Sequence, residues 1–271
     1  MYRKDMVGMI HNKKLLIFVA VTAGILLFWR GWRRAQQPRT APAGAALVVG
    51  TNVGYPPFIL RDENGHVVGF DRDIAYAIAQ RLGRTLVVKD MSFDALLLSL
   101  PQGSVDMIIG GISITSARKA KGWLLPYFGD TVDRVALFYR TDRVSGDITL
   151  AQAAAQKMTV CTQAGSSFEE VLATFPGLQV KTLPDISDIF LEVDHGSSDI
   201  GVLDPHTVSV LTRGRAQLGS HEQVLPPELH IDGFGIGIAP FNKELRAQVA
   251  GVIEDLRRDG TIAKLTQKWF A

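Results

Sequence analysis

The chain has 271 residues, 46% of them hydrophobic and 21% charged, so it is long enough for one large domain or two small ones with a sizeable core. The formal net charge of +2 is unevenly spread: residues 1–46 hold eight Lys or Arg against one Asp, and the remainder carries −5. Such a mildly acidic body lacks the basic face of a nucleic-acid binder, so no nucleic-acid partner is expected. The single cysteine, Cys161, excludes an internal disulfide and a zinc-finger cluster, and the six histidines show no metal-ligand spacing, so no metal is expected.

The N-terminal 46 residues form a targeting segment. Residues 15–29 are apolar apart from Thr22, with Lys13 and Lys14 before them and Arg30 after them. The run is shorter than the roughly 20 residues of a spanning helix, but flanking Trp and snorkelling cations extend it. A cleaved signal peptide is the alternative, with its small-residue site within 41–46. Because that site lies well beyond the apolar run, we favour an uncleaved membrane anchor followed by an unstructured tether.

From residue 46 onward, short apolar runs alternate with helical periods. The first series predicts strands at 47–51, 85–88 and 105–109 and helices at 70–82 and 93–100. We expect Asp71 to cap the first helix, Gly83 to end it, and Pro101 to stop the second. A short helix capped by Thr115 follows the third strand.

An extended run at 134–139 precedes a second series of the same kind. This series predicts strands at 158–162, 178–183 and 200–203 and helices at 168–175 and 186–194, before an extended run at 234–239 and two closing helices. Two α/β units joined by two extended crossings predict two lobes with a cleft and a hinge. Ligands of open α/β sheets bind beyond the carboxyl ends of the strands, so the cleft is the expected site.

Three short segments at predicted strand ends carry candidate chemistry. Arg118 lies in the first turn of the helix after residues 110–115, where free N–H groups and a guanidinium suit a carboxylate, although an ordinary surface arginine fits as well. Residues 163–167 offer N–H groups and hydroxyls, or a plain helix cap. Asp204 precedes Pro205 and is either a helix cap or a partner for an ammonium group. Tyr55 lies in a Gly-Tyr-Pro-Pro loop suited to stacking on a ligand, whereas Phe58 is expected in the core.

Six motifs in one order carry a resemblance that covers residues 47–270. They are GTNVGYPPF (50–58), GFDRDIAYAIA (69–79), MSFDALLLSL (91–100), VDMIIGGISITSARK (105–119), SDIGVLD (198–204) and DGTIAKLTQKWF (259–270). Together they resemble the family-3 extracellular solute-binding proteins, the polar amino-acid receptors of ABC importers. The resemblance implies a periplasmic-binding-protein-like (type II) clamp of two α/β lobes with a hinge of two extended crossings. It implies no cofactor, and partners that are a free L-amino acid, an ABC permease and its ATPase.

The resemblance also assigns roles to residues. Arg118 matches the arginine that grips the ligand α-carboxylate, with the Ser113 hydroxyl and the Gly111 backbone as its helpers. On the second lobe, Ser167 matches a further contact to that carboxylate, and Asp204 matches the acid that holds the α-ammonium. Tyr55 and Phe93 match the aromatic pair that sandwiches the ligand.

The expected ligand is arginine or another basic or polar amino acid. Residues Asn52 and Gln163 stand at positions that face the ligand side chain, and their combination is most similar to arginine-binding members. A neutral Asn52 leaves a guanidinium without a salt-bridge partner, so glutamine stays open. The domain boundaries that follow are residues 1–46 as anchor or signal segment, 47–136 with 239–271 as the first lobe, and 137–238 as the second lobe with its hinge strands.

Two other functions occur on this fold. Cyclohexadienyl dehydratases resemble these proteins and use a carboxyl group as an acid, but no motif places an additional carboxylic acid in the cleft here. Amino-acid sensor modules are usually joined to a kinase or a wall-cleaving domain, and residues 47–271 contain neither. We therefore expect a non-enzymatic binding protein in the periplasm, held at the cytoplasmic membrane by its N-terminal segment.

Overall fold

Residues 44–129 and 131–271 are described by a computed structural model. The strands are β1 Ala46–Thr51, β2 Leu60–Arg61, β3 Val67–Val68, β4 Thr85–Asp90, β5 Met107–Ile108, β6 Leu124–Phe128, β7 Arg134–Arg140, β8 Thr159–Gln163, β9 Gln179–Leu183, β10 Ile200–Leu203, β11 Leu218–Val224 and β12 Phe234–Ile238. The α-helices are α1 Phe70–Arg81, α2 Phe93–Gln102, α3 Ser116–Ala120, α4 Leu150–Ala155, α5 Ser167–Leu172, α6 Ile186–Asp194, α7 Pro205–Thr212, α8 Lys243–Arg258 and α9 Thr261–Phe270.

Two five-stranded sheets form the cores of two lobes. The first sheet has the order β4-β1-β5-β12-β6, and the second has the order β11-β7-β10-β8-β9. In the first sheet β1 runs parallel to β4 and β5, whereas β12 is antiparallel to β5 and β6. In the second sheet β8 runs parallel to β9 and β10, whereas β7 is antiparallel to β10 and β11. We call the lobes built on these sheets the first and the second lobe.

The links between the lobes differ from the expected crossings. Strand β7 pairs entirely within the second sheet and β12 entirely within the first, so residues 134–136 belong to the second lobe and 234–238 to the first. Strand β12 fits between β5 and β6 because its glycines have no side chain: a Cβ at Gly237 would lie 2.5 Å from the Ile108 side chain. The described links are therefore residues 131–133 and 225–233, which pair with each other through a Val132–Ile231 bridge.

The helix ends correct two expectations. Asp71 does not cap α1, because Gly69 occupies the N-cap position and Asp71 lies inside the first turn, where it is buried. Gly69 adopts φ 129°, and a Cβ there would lie 2.3 Å from the Phe58 carbonyl oxygen, so only glycine fits the entry to the helix. Pro101 does not stop α2, which continues to Gln102 and ends at Gly103 in a left-handed conformation.

An aromatic cluster in the first lobe lies beside the strands that lead into the links. Phe58 is fully buried, as predicted, and its ring contacts those of Phe128, Phe234 and Phe270 at centroid distances of 4.9–5.9 Å. The last helix is thereby attached to the loop that carries Tyr55, whose ring stacks on Phe58 at 5.0 Å.

The predicted membrane segment, residues 15–29, lies outside the described residues. Within residues 44–129 and 131–271, each helix is too short or too polar to cross a bilayer.

Candidate functional site

The carboxyl ends of five strands face one another across the two lobes. In the first lobe, Asn52 follows β1 and the turn to Gly111 and Ser113 follows β5. In the second lobe, Gln163 ends β8, Asp185 follows β9 and Asp204 follows β10. This is the edge where open α/β sheets bind their ligands, so the topology brings most of the predicted site residues to one place.

Arg118 is a buried cation whose guanidinium donates hydrogen bonds to neutral carbonyls. Its side chain is 5% exposed, and Thr115 caps its helix by accepting a hydrogen bond from the Arg118 N–H. One guanidinium nitrogen donates to the Ser113 carbonyl at 3.0 Å, and the other donates across the cleft to the Gly165 carbonyl at 2.7 Å. Burial lowers the pKa of Arg118 below its usual value, and the charge of Glu170 opposes this. Among the described residues Arg118 forms no salt bridge, which leaves its charge available to a ligand carboxylate.

Asp204 is the buried anion of the second lobe. It is 2% exposed and caps α7, since Oδ1 accepts a hydrogen bond from the Thr207 N–H at 3.0 Å. The other oxygen, Oδ2, is buried and accepts no hydrogen bond from the described residues, although the Tyr55 phenol lies close to the carboxylate. The two interpretations of Asp204 are therefore compatible, because capping uses one oxygen and leaves the second for an ammonium group.

Tyr55 lies between the core and the cleft. Its ring covers Gly111 so closely that a Cβ there would lie 2.1 Å from the Tyr55 Cε1 atom. Burial raises the pKa of the Tyr55 phenol well above 10.0, and the charge of Asp204 raises it further. The phenol is thus a neutral hydroxyl close to the buried carboxylate.

Gly111 has its N–H group already engaged. That N–H donates to Asp71 Oδ2 at 2.7 Å, and the hydroxyl of Tyr127 donates to Asp71 Oδ1. Gly111 can therefore assist a ligand only through its carbonyl, which suits an ammonium group better than a carboxylate. Burial raises the pKa of Asp71 to about 7, against which the hydrogen bonds from Tyr127 and Gly111 act.

Ser113, Ser167 and Phe93 surround Arg118. The Ser167 hydroxyl lies 2.9 Å from that of Ser113 on the other lobe. Phe93 begins α2, and its ring centroid lies 5.5 Å from the guanidinium carbon of Arg118. Phe93 thus packs on the side of the cleft that holds Arg118.

Asn52 and Gln163 meet directly at the other end of the cleft. Gln163 Nε2 donates to Asn52 Oδ1 at 2.7 Å and to the Pro184 carbonyl at 3.0 Å. Asn52 Nδ2 donates to the Met91 carbonyl at 3.0 Å and to Asp185 Oδ1 at 3.1 Å. No motif of the sequence places a further carboxylic acid in the cleft, but the structure brings Asp185 there, beside both amides.

Sequence reasoning missed three residues of this region. Asp185 stands before a predicted helix like an ordinary cap, although its place after a strand was a usable signal. Thr207 donates across the cleft to the Pro56 carbonyl at 2.7 Å, and nothing in its local pattern indicates this contact. Asp71 was interpreted as a helix cap, whereas its carboxylate accepts a hydrogen bond from the Gly111 N–H.

Comparison with known proteins places this geometry in a family. The model of the bacterial extracellular solute-binding proteins, family 3, matches residues 47–271. The chain belongs to this family. A probable ABC transporter arginine-binding protein, ArtJ of Chlamydia trachomatis, is 33% identical over 223 residues, which span 82% of this chain and 85% of ArtJ.

Solved structures agree with that assignment. Two structures of ancestral arginine-binding proteins, one bound to arginine and one to glutamine, each match with a TM-score of 0.75 at 30% identity. The matches cover 84% and 83% of this chain and 100% and 98% of those chains. An ancestral amino-acid-binding protein described as a precursor of cyclohexadienyl dehydratase matches with a TM-score of 0.70 at 26% identity, over 84% of this chain and 96% of its own. These likenesses confirm the predicted two-lobed type II fold, and family membership makes the chain an extracellular solute-binding protein.

Proposed function

We propose that this protein binds one free L-amino acid with a cationic side chain, arginine first, and delivers it to an ABC permease and its ATPase. The observation that carries the proposal is the pair of buried, opposite charges on either side of the cleft. Among the described residues the Arg118 guanidinium donates hydrogen bonds only to neutral carbonyls, and one oxygen of Asp204 accepts no hydrogen bond. A buried charge without a partner is costly, so the pair is complementary to a zwitterion that supplies a carboxylate to one and an ammonium to the other.

The remaining site residues have roles that follow from this orientation. Ser113 and Ser167 would donate to the carboxylate beside Arg118, and the Gly111 carbonyl would accept from the ammonium beside Asp204. Tyr55 and Phe93 would enclose the ligand between aromatic faces. Asn52 and Gln163 would face the end of its side chain.

The names of the relatives support arginine as the first candidate. The similar Chlamydia protein is called arginine-binding, and one of the two ancestral structures contains arginine. The other contains glutamine, which keeps a neutral polar side chain as the competing ligand.

Clamp closure would couple binding to delivery. Arg118 and Ser113 belong to the first lobe, whereas Ser167 and Asp204 belong to the second, so a ligand that contacts both sets binds the closed form more tightly. Residues 131–133 and 225–233 are the hinge in this proposal.

The N-terminal segment would hold the body at the outer face of the cytoplasmic membrane. The support is the apolar run at residues 15–29 with its flanking cations. Membrane fractionation with a carbonate wash tests anchoring, and recovery of a shortened soluble form beginning near residues 43–46 contradicts it.

A dehydratase is the second candidate, because Asp185 adds a carboxyl group to the cleft and one structural neighbour is a precursor of such an enzyme. The deciding experiment is calorimetry of the full chain with the free L-amino acids, run beside an assay for prephenate and arogenate turnover. Tight binding of arginine without turnover supports the binding protein. Turnover without amino-acid binding contradicts it.

A further inference from the structure

Asp185 occupies the cap position of a helix but does not cap it. It directly precedes α6, with the extended backbone (φ −122°, ψ 148°) that an N-cap residue adopts. An aspartate at this position usually accepts a hydrogen bond from an N–H of its own helix. Here the side chain makes no such bond, and Oδ1 instead accepts from Asn52 Nδ2 on the opposite lobe at 3.1 Å.

The side chains of Asn52, Gln163 and Asp185 leave only acceptor atoms for a ligand. Both hydrogens of Asn52 Nδ2 have protein acceptors, the Met91 carbonyl and Asp185, and both hydrogens of Gln163 Nε2 have the Pro184 carbonyl and Asn52 Oδ1. The amide orientations follow from these partners, because carbonyl and carboxylate oxygens can only accept. What remains is Asp185 Oδ2 and Gln163 Oε1, neither of which takes a hydrogen bond from the described residues.

A set of acceptors without a donor distinguishes between candidate side chains. A guanidinium has five N–H donors and no acceptor, so it can satisfy these atoms without leaving a polar group unpaired. The side-chain amide of glutamine also carries a carbonyl, which would find no donor among these atoms. A carboxylate adds charge complementarity that a neutral ligand cannot use.

We propose that Asp185 is the specificity-determining residue of the cleft: its carboxylate pairs with the cationic end of the ligand side chain. This inference rests on the proposed amino-acid function. Asn52 orients the carboxylate, and because the two residues lie on different lobes, their contact forms as the clamp closes. The charge of the side chain is therefore recognised in the closed form.

The test compares arginine with citrulline, a neutral ligand of nearly the same shape, so that contacts to the α-carboxylate and α-ammonium cancel in the ratio of affinities. Calorimetry is run on the full-length protein and on Asp185→Asn, with glutamine as a second neutral ligand. We expect the preference for arginine over citrulline to fall by about tenfold to a hundredfold in the variant, while citrulline affinity changes little. Asp188→Asn is the matched control, because it removes the same charge from the first turn of the same helix and should keep the wild-type ratio.

The possible results separate the two claims. If the original protein binds no amino acid, the proposed function fails and this inference fails with it. If it binds arginine but Asp185→Asn keeps the same ratio of arginine affinity to citrulline affinity, Asp185 does not determine the preference for a charged side chain. Only this inference is then overturned. An equal loss of both ligands means that Asp185 has a structural role, and it overturns the inference in the same way.

Discussion

At the scale of single residues, the candidate site contains two buried charged side chains, and a buried charge is costly unless an opposite charge pairs with it. Arg118 is 5% exposed and Asp204 2% exposed, yet they do not pair with each other. The local structure supports each separately: Thr115 begins the short helix under Arg118, and Asp204 begins α7. Each charge is thus fixed by its own helix start and directed at the cleft.

Replacing Arg118 tests the carboxylate-binding role. Arg118→Ala should weaken amino-acid binding by roughly 3–5 kcal/mol, or some hundreds-fold or more in Kd, because the ligand carboxylate would be buried without its cation. Arg118→Lys should restore only part of the affinity, because an ammonium group cannot form the planar two-pronged contact of a guanidinium. Calorimetry measures both variants, and an unchanged Kd in Arg118→Ala contradicts the assignment.

Asp71 makes stability depend on pH. Its pKa is raised from 3.8 to about 7 in the folded protein, so the folded state holds a proton that the unfolded state has released between these values. The contribution of Asp71 to the free energy of unfolding is therefore greatest below about pH 4 and is lost as pH rises towards 7, by up to about 4 kcal/mol.

Asp71→Asn should remove that dependence. The amide oxygen of the variant can still accept from the Gly111 N–H, and the Tyr127 hydroxyl can turn to accept from the amide nitrogen. Denaturant unfolding of both proteins from pH 4 to pH 8 should show the variant gaining stability relative to the original protein as pH rises, with no further gain well above pH 7. A constant difference across that range would show that Asp71 does not titrate there.

At the scale of elements, the sequence predicted strands and helices whose apolar residues form a long run or a clear helical period, and it missed several short or polar elements. Strands β1 and β10 and helix α6 were found because their apolar runs are continuous or helically spaced. Strand β11 was missed because its sequence, LGSHEQV, is polar at the edge of the second sheet. Helix α4 was missed although Thr149 and Gln152 form a capping box, a signal that the sequence does contain.

Some residues of the candidate site could likewise be predicted from the sequence, and others could not. Residues in a strand-to-helix turn, such as Arg118 and Asp204, are predictable because the end of a parallel strand fixes where they lie. The hydrogen bond from Asn52 to Asp185 joins residues 133 positions apart on different lobes, and no local pattern encodes such a contact.

Helix α8 contains a glycine at a position where the structure would accept a larger residue. Gly251 is exposed in the middle of the helix, and a Cβ there would meet nothing within 4 Å. Gly251→Ala should therefore raise the free energy of unfolding by about 0.5–1 kcal/mol, since alanine loses less conformational entropy on folding. Ala247→Gly, at an exposed position of the same helix, should lower it by a similar amount, and thermal or denaturant unfolding measures both. Equal stability of all three proteins would contradict the expectation.

At the scale of the whole molecule, the two lobes meet through apolar packing, such as that of His206 on Phe270, and through a set of polar contacts. Four of them involve the proposed site: Arg118 with Gly165, Ser113 with Ser167, and Asn52 with both Gln163 and Asp185. The contact between the Thr207 hydroxyl and the Pro56 carbonyl joins the lobes beside the site without using any predicted ligand atom. It offers a way to alter closure while leaving the charged groups of Arg118 and Asp204 in place.

Thr207→Val should shift the clamp towards its open form. The substitution keeps the shape of the side chain and the backbone N–H that Asp204 accepts, but it removes a hydrogen bond worth about 1 kcal/mol to the closed form. Because the apparent Kd rises as the closed fraction falls, we expect about a fivefold weaker affinity, carried mainly by faster dissociation.

Small-angle scattering measures how compact each protein is, and stopped-flow binding measures how fast the ligand dissociates. At saturating arginine both proteins should reach the same compact radius of gyration, because the ligand offsets a difference of this size. Thr212→Val is the control: the Thr212 hydroxyl bonds to the Val208 carbonyl within its own helix, so its loss should leave both Kd and dissociation rate unchanged. If Thr207→Val binds arginine as tightly as the original protein, the lobes do not exchange between open and closed forms through this contact. If arginine compacts neither protein, the clamp mechanism itself is contradicted.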